Sequence, residues 1–166
     1  MVQKIVSGGQ TGADRAGFDA ALELGIPIGG FIPSDRWAED GRIPDHYVGL
    51  SDSGATDPAV RTRLNVENSD GTVILTRGRP KGGSSLTVKI ARELGRPRLH
   101  IDLSKLSPDS AAERIRLWID SFEIEILNVA GSRESKEPGI YDEVRNVLMS
   151  ALRGHERVRS SAHADR

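Results

Sequence analysis

Short apolar segments of β type alternate with amphipathic helical segments along most of the chain. Strands are predicted at about residues 4–7, 28–32, 72–76, 98–102 and 125–129, and helices at about 13–24, after Asp57-Pro58, at 85–94, after Ser107-Pro108 and after Pro138-Gly139. Such alternation requires right-handed crossovers and a parallel sheet. We predict one α/β domain over residues 1–153, a Rossmann-like parallel sheet of about five strands with helices on both faces. Residues 154–166 lack an apolar stripe and are predicted to form a flexible C-terminal tail.

A glycine-rich turn joins the first predicted strand to the first helix. Free backbone N–H groups and the helix dipole favour an anion at such a helix start. The turn therefore predicts phosphate binding by Gly8, Gly9, Gln10, Thr11 and Gly12. Its glycines are spaced one residue closer than in the dinucleotide fingerprint G-x-G-x-x-G, which excludes that motif.

Asp14 and Arg15 follow this turn, and each has two interpretations. Thr11 and Asp14 have the spacing of a capping box, in which Thr11 caps the helix and Asp14 is structural. If Asp14 faces the ligand instead, its charge repels phosphate, and it would meet a hydroxyl, a ring N–H or a metal-bound water. Arg15 is either a surface charge or an anion clamp.

A second turn of the same kind follows the third predicted strand. Its lysine precedes its glycines and nothing matches G-K-[ST], so the turn is not a P-loop. Adjacent parallel strands that wind in opposite directions leave a crevice between their turns, and an anion site with glycines on both sides is predicted there. The predicted ligand contacts of this turn are Arg77, Gly82, Gly83, Ser84, Ser85 and Thr87.

Two further segments could complete the site. The second helix carries Arg61 and Asn65 on one face, which could hold an anion or a base edge or could simply be solvated. The turn after the last strand is either a surface loop or closes the site through Arg133 or Ser135.

The long segment at residues 33–56 has little periodicity and follows the second predicted strand. Loops of this length in compact domains are usually functional or disordered. It is interpreted as a lid or pocket wall, with an idle surface loop as the alternative. Arg36, Trp37 and Tyr47 are its candidate lid residues, and Trp37 or Tyr47 could stack on a ring.

Composition limits the possible partners. A formal net charge of −1 gives no sign of nucleic-acid binding, and no apolar run is long enough to span a membrane. The chain has no cysteine, and its four histidines are scattered, so no protein-ligated metal is expected. These features fit a cytoplasmic protein.

Five motifs in order resemble the putative molybdenum carrier family, which is molybdenum-cofactor-carrier-like, across about residues 4–152. They are Ile5–Arg15, Ala38-Glu39-Asp40-Gly41, Arg61-Thr62 with Asn65-Val66, Ser69-Asp70-Gly71-Thr72, and Asn128-Val129-Ala130-Gly131 with Arg133-Glu134-Ser135. That family belongs to a Rossmann-like superfamily that includes cytokinin-activating phosphoribohydrolases and DNA-processing proteins. The resemblance implies a molybdopterin (molybdenum cofactor) or nucleotide-type anionic ligand at the glycine turns. It also implies a homo-oligomer.

The resemblance leaves both a carrier and an enzyme open. The phosphoribohydrolases carry a P-G-G-x-G-T-x-x-E motif in the second turn, and this chain has no glutamate at the corresponding positions, Val88 to Ile90. General acid–base chemistry would then need another carboxylate, for which the candidates are Asp14, Glu39 and Asp40. A binding or carrier protein is the favoured interpretation, and a hydrolase of a nucleotide derivative is the alternative.

Overall fold

The computed structural model describes the backbone of residues 1–164 and the side chains of residues 1–153. Five helices and nine short strands follow one another along this part of the chain: β1 (Lys4–Val6), α1 (Ala13–Glu23), β2 (Ile28–Gly29), β3 (Phe31–Ile32), β4 (Trp37–Ala38), β5 (Gly41–Arg42), β6 (Ser51–Asp52), α2 (Pro58–Glu67), β7 (Gly71–Thr76), α3 (Gly82–Glu93), β8 (Arg98–Asp102), α4 (Pro108–Ser121), β9 (Ile126–Gly131) and α5 (Ile140–Ala164).

Five strands form one parallel sheet in the order β2-β1-β9-β7-β8. Helices α1, α4 and α5 pack together on one face, and α2 and α3 pack together on the other. The prediction of a Rossmann-like α/β fold with helices on both faces is confirmed. None of the helices in the described part of the chain is long and apolar enough to cross a membrane.

Helix α1 lies unusually close to the sheet. A Cβ atom added at Gly17 would stand 2.9 Å from Cβ of Val129 on β9, so any side chain there would push the helix away. Small residues at the neighbouring positions Ala13, Ala16 and Ala20 are fully buried in the same contact layer. The apolar stripe of α1 therefore supplies close packing in addition to apolar area.

The second predicted strand is broken in two. After β2 the chain bends at Gly30, whose φ is +108°, and a Cβ there would stand 2.7 Å from the carbonyl oxygen of Ser7. Beyond the bend, Phe31 hydrogen-bonds with the Asn65 side chain, its N–H donating to Oδ1 at 2.7 Å and its carbonyl accepting from Nδ2 at 3.0 Å. The bend moves the chain out of the main sheet. Beyond it, β3 pairs with β6 in a separate two-stranded sheet.

The predicted starts of α2 and α4 are confirmed, whereas the Thr11 cap, one of the two interpretations of the first turn, is not. The Asp57 carboxylate accepts from Ala59 N–H at 2.9 Å, and the Ser107 hydroxyl accepts from Ser110 N–H at 3.2 Å. Helix α1, in contrast, is preceded by Gly12 at φ +78° and has no side-chain cap, so Thr11 does not form the predicted capping box. The hydroxyl of Thr11 is engaged by other segments instead.

Helix α5 continues to Ala164 and so includes most of the predicted flexible tail, residues 154–166, although the side chains of this segment lie outside the described part. The flexibility of the tail stays a prediction.

Candidate functional site

A cleft of about 620 Å³ opens at the carboxyl ends of β1, β9 and β7. The sequence led us to expect the first and second glycine turns on adjacent strands, but β9 lies between β1 and β7. The turn after β9 therefore forms the middle of the cleft floor. The catalytic candidate Asp14 lines the cleft, and so do nine of the predicted ligand contacts: Gly8, Gln10, Arg61, Asn65, Gly82, Gly83, Ser84, Thr87 and Arg133.

The lining is strongly basic. Five cationic side chains and only two carboxylates line the cleft. The cations are Arg61, Arg79, Lys81, Arg133 and Lys136, and the carboxylates are Asp14 and Glu137. The sequence analysis did not identify Arg79, Lys81, Lys136 and Glu137 as site residues. The first two lie in the second glycine turn and the last two in the turn after β9, both of which it had considered. An overall charge of −1 hides this local excess, because the acidic residues are concentrated elsewhere.

Arg61 lies flat against the backbone of the first turn. A Cβ added at Gly8 would stand 2.5 Å from Nε and 2.8 Å from Cζ of Arg61, so glycine is needed at position 8 to admit the guanidinium. The Arg61 Nη1 donates to the hydroxyl of Thr62, whereas its buried Nε has no hydrogen-bond partner among the described residues. Arg61 therefore has a donor that the described protein does not satisfy.

Asp14 is the buried carboxyl of the cleft. Its Oδ2 accepts from the N–H of Gln10 at 3.1 Å. Burial raises the pKa of Asp14, and the positive charge of Arg61 opposes that rise without cancelling it. Burial likewise lowers the pKa of Arg61, against the effect of Asp14. Of the two open interpretations, the structure contradicts the helix cap and places Asp14 in the cleft wall.

The amino end of α3 is open to the cleft. The preceding residue, Lys81, makes no capping hydrogen bond with its side chain. Cβ atoms added at Gly82 or Gly83 would have no heavy atom within 4 Å, so the backbone there is accessible. An uncapped helix start with free N–H groups attracts anions. This end of α3 and Arg61 line the same cleft.

The rest of the first turn is used to anchor the hairpin β4–β5. Arg15 donates to both carboxylate oxygens of Asp40, at 2.5 and 2.7 Å, and its Nε donates to the carbonyl of Gly9 at 3.2 Å. Thr11 donates to Glu39 and accepts from the N–H of Glu134. Arg15 is thus neither a free surface charge nor an anion clamp.

Glu39 and Asp40 do not line the cleft. Glu39 accepts from Ser135, from its hydroxyl at 2.6 Å and from its N–H at 3.2 Å. Burial would raise the pKa of Glu39, but hydrogen bonds from Ser135 and Thr11 lower it on balance. The hydrogen bond from Arg15 likewise lowers the pKa of Asp40. Both carboxylates are structural links between segments.

Gly12 does not line the cleft and instead lies where the first turn packs against the turn after β9. A Cβ at Gly12 would stand 2.3 Å from the carbonyl oxygen of Ser132, which itself accepts from the N–H of Ala13 at 3.1 Å. At Gly12 and Ala13, the first turn therefore packs directly against the backbone of the turn after β9.

Two predicted contacts of the second turn also lie elsewhere. Arg77 forms an ion pair with Glu143 of α5 and does not line the cleft. Ser85 is exposed on α3 and does not line the cleft.

The three lid candidates are not positioned to cover the cleft. Tyr47 is buried in the core, where its hydroxyl donates to Asp19 at 2.7 Å and its ring packs against Phe18. Arg36 donates to the carbonyl oxygen of Pro44 at 3.0 Å. Trp37 is 63% exposed on the hairpin. No aromatic side chain lines the cleft within the described residues.

Residues 5–152 match the family model described as the circularly permutated YpsA SLOG family. The chain belongs to that family. This family member is also similar to a solved structure, the crystal structure at 1.45 Å resolution of a putative molybdenum carrier protein from Syntrophus aciditrophicus SB. The two chains share 46% identity with a TM-score of 0.89, over 91% of this chain and 95% of the other. A search of curated proteins finds no match.

Proposed function

We propose that the chain is a binding or carrier protein for a phosphorylated small molecule of the molybdopterin or nucleotide type. The observation that carries the proposal is that the Arg61 guanidinium and the uncapped start of α3 line the same cleft. Both groups are suited to a phosphate, which accepts hydrogen bonds from guanidinium and from backbone N–H groups. The ligand's phosphate would lie between them.

The remaining charges favour an anion at this position. Arg133, Lys81 and Lys136 surround the same space, and a basic cleft of this kind concentrates anionic ligands before they bind. The buried Asp14 at the edge would contact an uncharged donor of the ligand, such as a hydroxyl or a ring N–H. Its protonated form, which burial favours, would be tolerated next to phosphate.

The name of the Syntrophus relative supports a carrier of a molybdenum-containing ligand. The described residues contain no group of His, Asp or Glu side chains that could hold a metal ion. We therefore propose that any molybdenum is carried by the ligand, as it is in a molybdopterin cofactor. In that case the cleft residues hold the phosphate of the cofactor and make no bond to the metal.

Calorimetric titration of the pure protein with molybdopterin, molybdate and a panel of nucleotides tests this proposal. The Arg61→Ala variant should bind about 10- to 100-fold more weakly, because a hydrogen bond to a charged group contributes about 1.5–3 kcal/mol. Arg77→Ala removes the same charge from outside the cleft and should bind as the wild type does. If no compound binds, or if both variants lose affinity equally, the proposal is wrong.

A second candidate function is hydrolysis of a nucleotide derivative with Asp14 as the acid. The observation that favours it is the raised pKa of Asp14 in the cleft wall, which would let the carboxyl hold a proton for a leaving group. Incubation with a nucleotide panel tests it. Release of free base that disappears in Asp14→Asn would support the enzyme, and no turnover across the panel would exclude it.

A further inference from the structure

Within the part of the chain that the structure describes, the outer side of strand β8 has no strand partner. The strand forms the edge of the sheet and is five residues long. The opposite edge, β2, has two residues and ends where the chain bends at Gly30. Proteins normally shorten, bend or cover exposed edge strands, because a long edge offers unpaired backbone groups to another chain. The β2 edge is protected in this way, and β8 is not.

The hydrogen-bonding register shows which backbone groups of β8 face outward. The carbonyl of Pro97 accepts from Thr72 N–H at 3.0 Å, and the N–H of Leu103 donates to Thr76 at 2.8 Å, so these two residues face β7. Because backbone groups alternate along a strand, those of residues 98, 100 and 102 point away from β7. The outward carbonyl of Asp102 accepts from the N–H groups of Lys105 and Leu106, whereas its own N–H has no hydrogen-bond partner among the described residues.

We propose that β8 pairs antiparallel with β8 of a second copy of this chain, about a two-fold axis at His100. In this register the two His100 residues exchange N–H and C=O hydrogen bonds. The N–H of Asp102 donates to the carbonyl of Arg98 in the other copy, and the symmetry repeats that bond. The pairing joins two five-stranded sheets into one and is isologous, as expected of a two-fold dimer.

Charge complementarity supports this register. Arg98 stands opposite Asp102 of the second copy, and the two-fold axis creates this pair twice. Within one copy, Arg98 forms no ion pair among the described residues. The Asp102 Oδ1 accepts from Gly78 N–H at 2.7 Å and from the Ser104 hydroxyl at 2.6 Å, while no bond to its Oδ2 is found there. Each unpaired charge would thus find its counter-charge across the interface.

An apolar surface lies beside the edge and would enlarge the contact. Phe122 is 55% exposed at the end of α4 and lines a shallow depression together with Arg98 and His100. A stable interface usually buries about 1,200–2,000 Å² in total, more than two paired strands supply. The flanking helices α3 and α4, with Phe122, would supply the remainder.

Sedimentation velocity over a concentration series tests the dimer. The wild type should associate, and Arg98→Glu, which places like charges opposite each other twice, should weaken association at least ~10-fold, or ~1.4 kcal/mol. Arg42→Glu makes the same charge change on the hairpin β4–β5 and should associate as the wild type does. A wild type that is monomeric at every concentration, or an unaffected Arg98→Glu variant, overturns the proposal.

A mixing experiment distinguishes this register from a general charge effect. Arg98→Glu mixed with Asp102→Lys should form a heterodimer, because both cross-strand pairs then carry opposite charges, whereas each variant alone should not. Absence of the heterodimer overturns the register. Should Asp102→Lys fail to fold, hydrogen exchange on the wild type replaces the mixture. The His100 N–H should then be protected only at dimer concentrations, and protection independent of concentration contradicts the pairing.

Discussion

The contact between Gly8 and Arg61 predicts that the cost of adding one methyl group depends on a residue 53 positions away in the chain. The three atoms nearest to a Cβ at Gly8 all belong to Arg61, at 2.5, 2.7 and 2.8 Å. Position 8 does not have a positive φ. Gly8→Ala is therefore strained by overpacking against Arg61 and not by its backbone, and we expect a loss of about 1–3 kcal/mol of unfolding free energy.

Removing Arg61 should reduce that cost. In the Arg61→Ala background the added methyl fills vacated space, so Gly8→Ala should cost less than in the wild type by more than about 0.5 kcal/mol, the usual deviation from additivity for uncoupled sites. Urea denaturation of the wild type, both single variants and the double variant measures the coupling. Gly83→Ala is a suitable control, since a Cβ there meets no heavy atom within 4 Å. Equal costs of Gly8→Ala in both backgrounds would refute the proposed contact.

Three other substitutions have defined outcomes. Asp14→Asn should stabilise the fold at neutral pH: the folded-state pKa is raised, so stability is lost as pH rises through it, and the gain should vanish below about pH 4. Destabilisation at pH 7 in urea unfolding would contradict this. Asn65→Ala should cost about 1–3 kcal/mol, because Phe31 loses partners for its N–H and carbonyl, and a neutral result in thermal unfolding would contradict that assignment. Gly12→Ala should yield little folded protein on expression, because its methyl would collide with the backbone of the turn after β9. A variant that is well folded by circular dichroism would disprove this close contact.

The fold class could be predicted because local pattern determines it. Alternating strands and helices require parallel crossovers, and the caps at Asp57 and Ser107 are read from adjacent residues. The position of β9 between β1 and β7 could not be predicted in this way, because strand order depends on packing between distant segments. The bend at Gly30 was missed for a related reason. After the bend, the side chain of Asn65, 34 residues from Phe31 in the chain, takes the place of a strand partner for the Phe31 backbone.

The candidate site was predictable where backbone geometry defines it. Both glycine turns and Arg61 were identified from residue types and spacing, and all of them contribute to the cleft. The roles of Arg15, Glu39 and Asp40 were not, because long-range contacts decide them. Within the same short segment, Gly8 and Asp14 line the cleft whereas Thr11 and Arg15 anchor the hairpin β4–β5, and no sequence rule separates the two sets.

The central proposal is that the cleft binds the phosphate of its ligand. Calorimetric titration of the wild-type chain with molybdopterin and with AMP, each beside the same compound without its phosphate, tests that claim directly. We predict that at least one phosphorylated compound binds and that removing its phosphate weakens binding about 10-fold or more, since several charge-assisted hydrogen bonds are lost. Failure of both phosphorylated compounds to bind, or equal affinity with and without phosphate, would contradict the account.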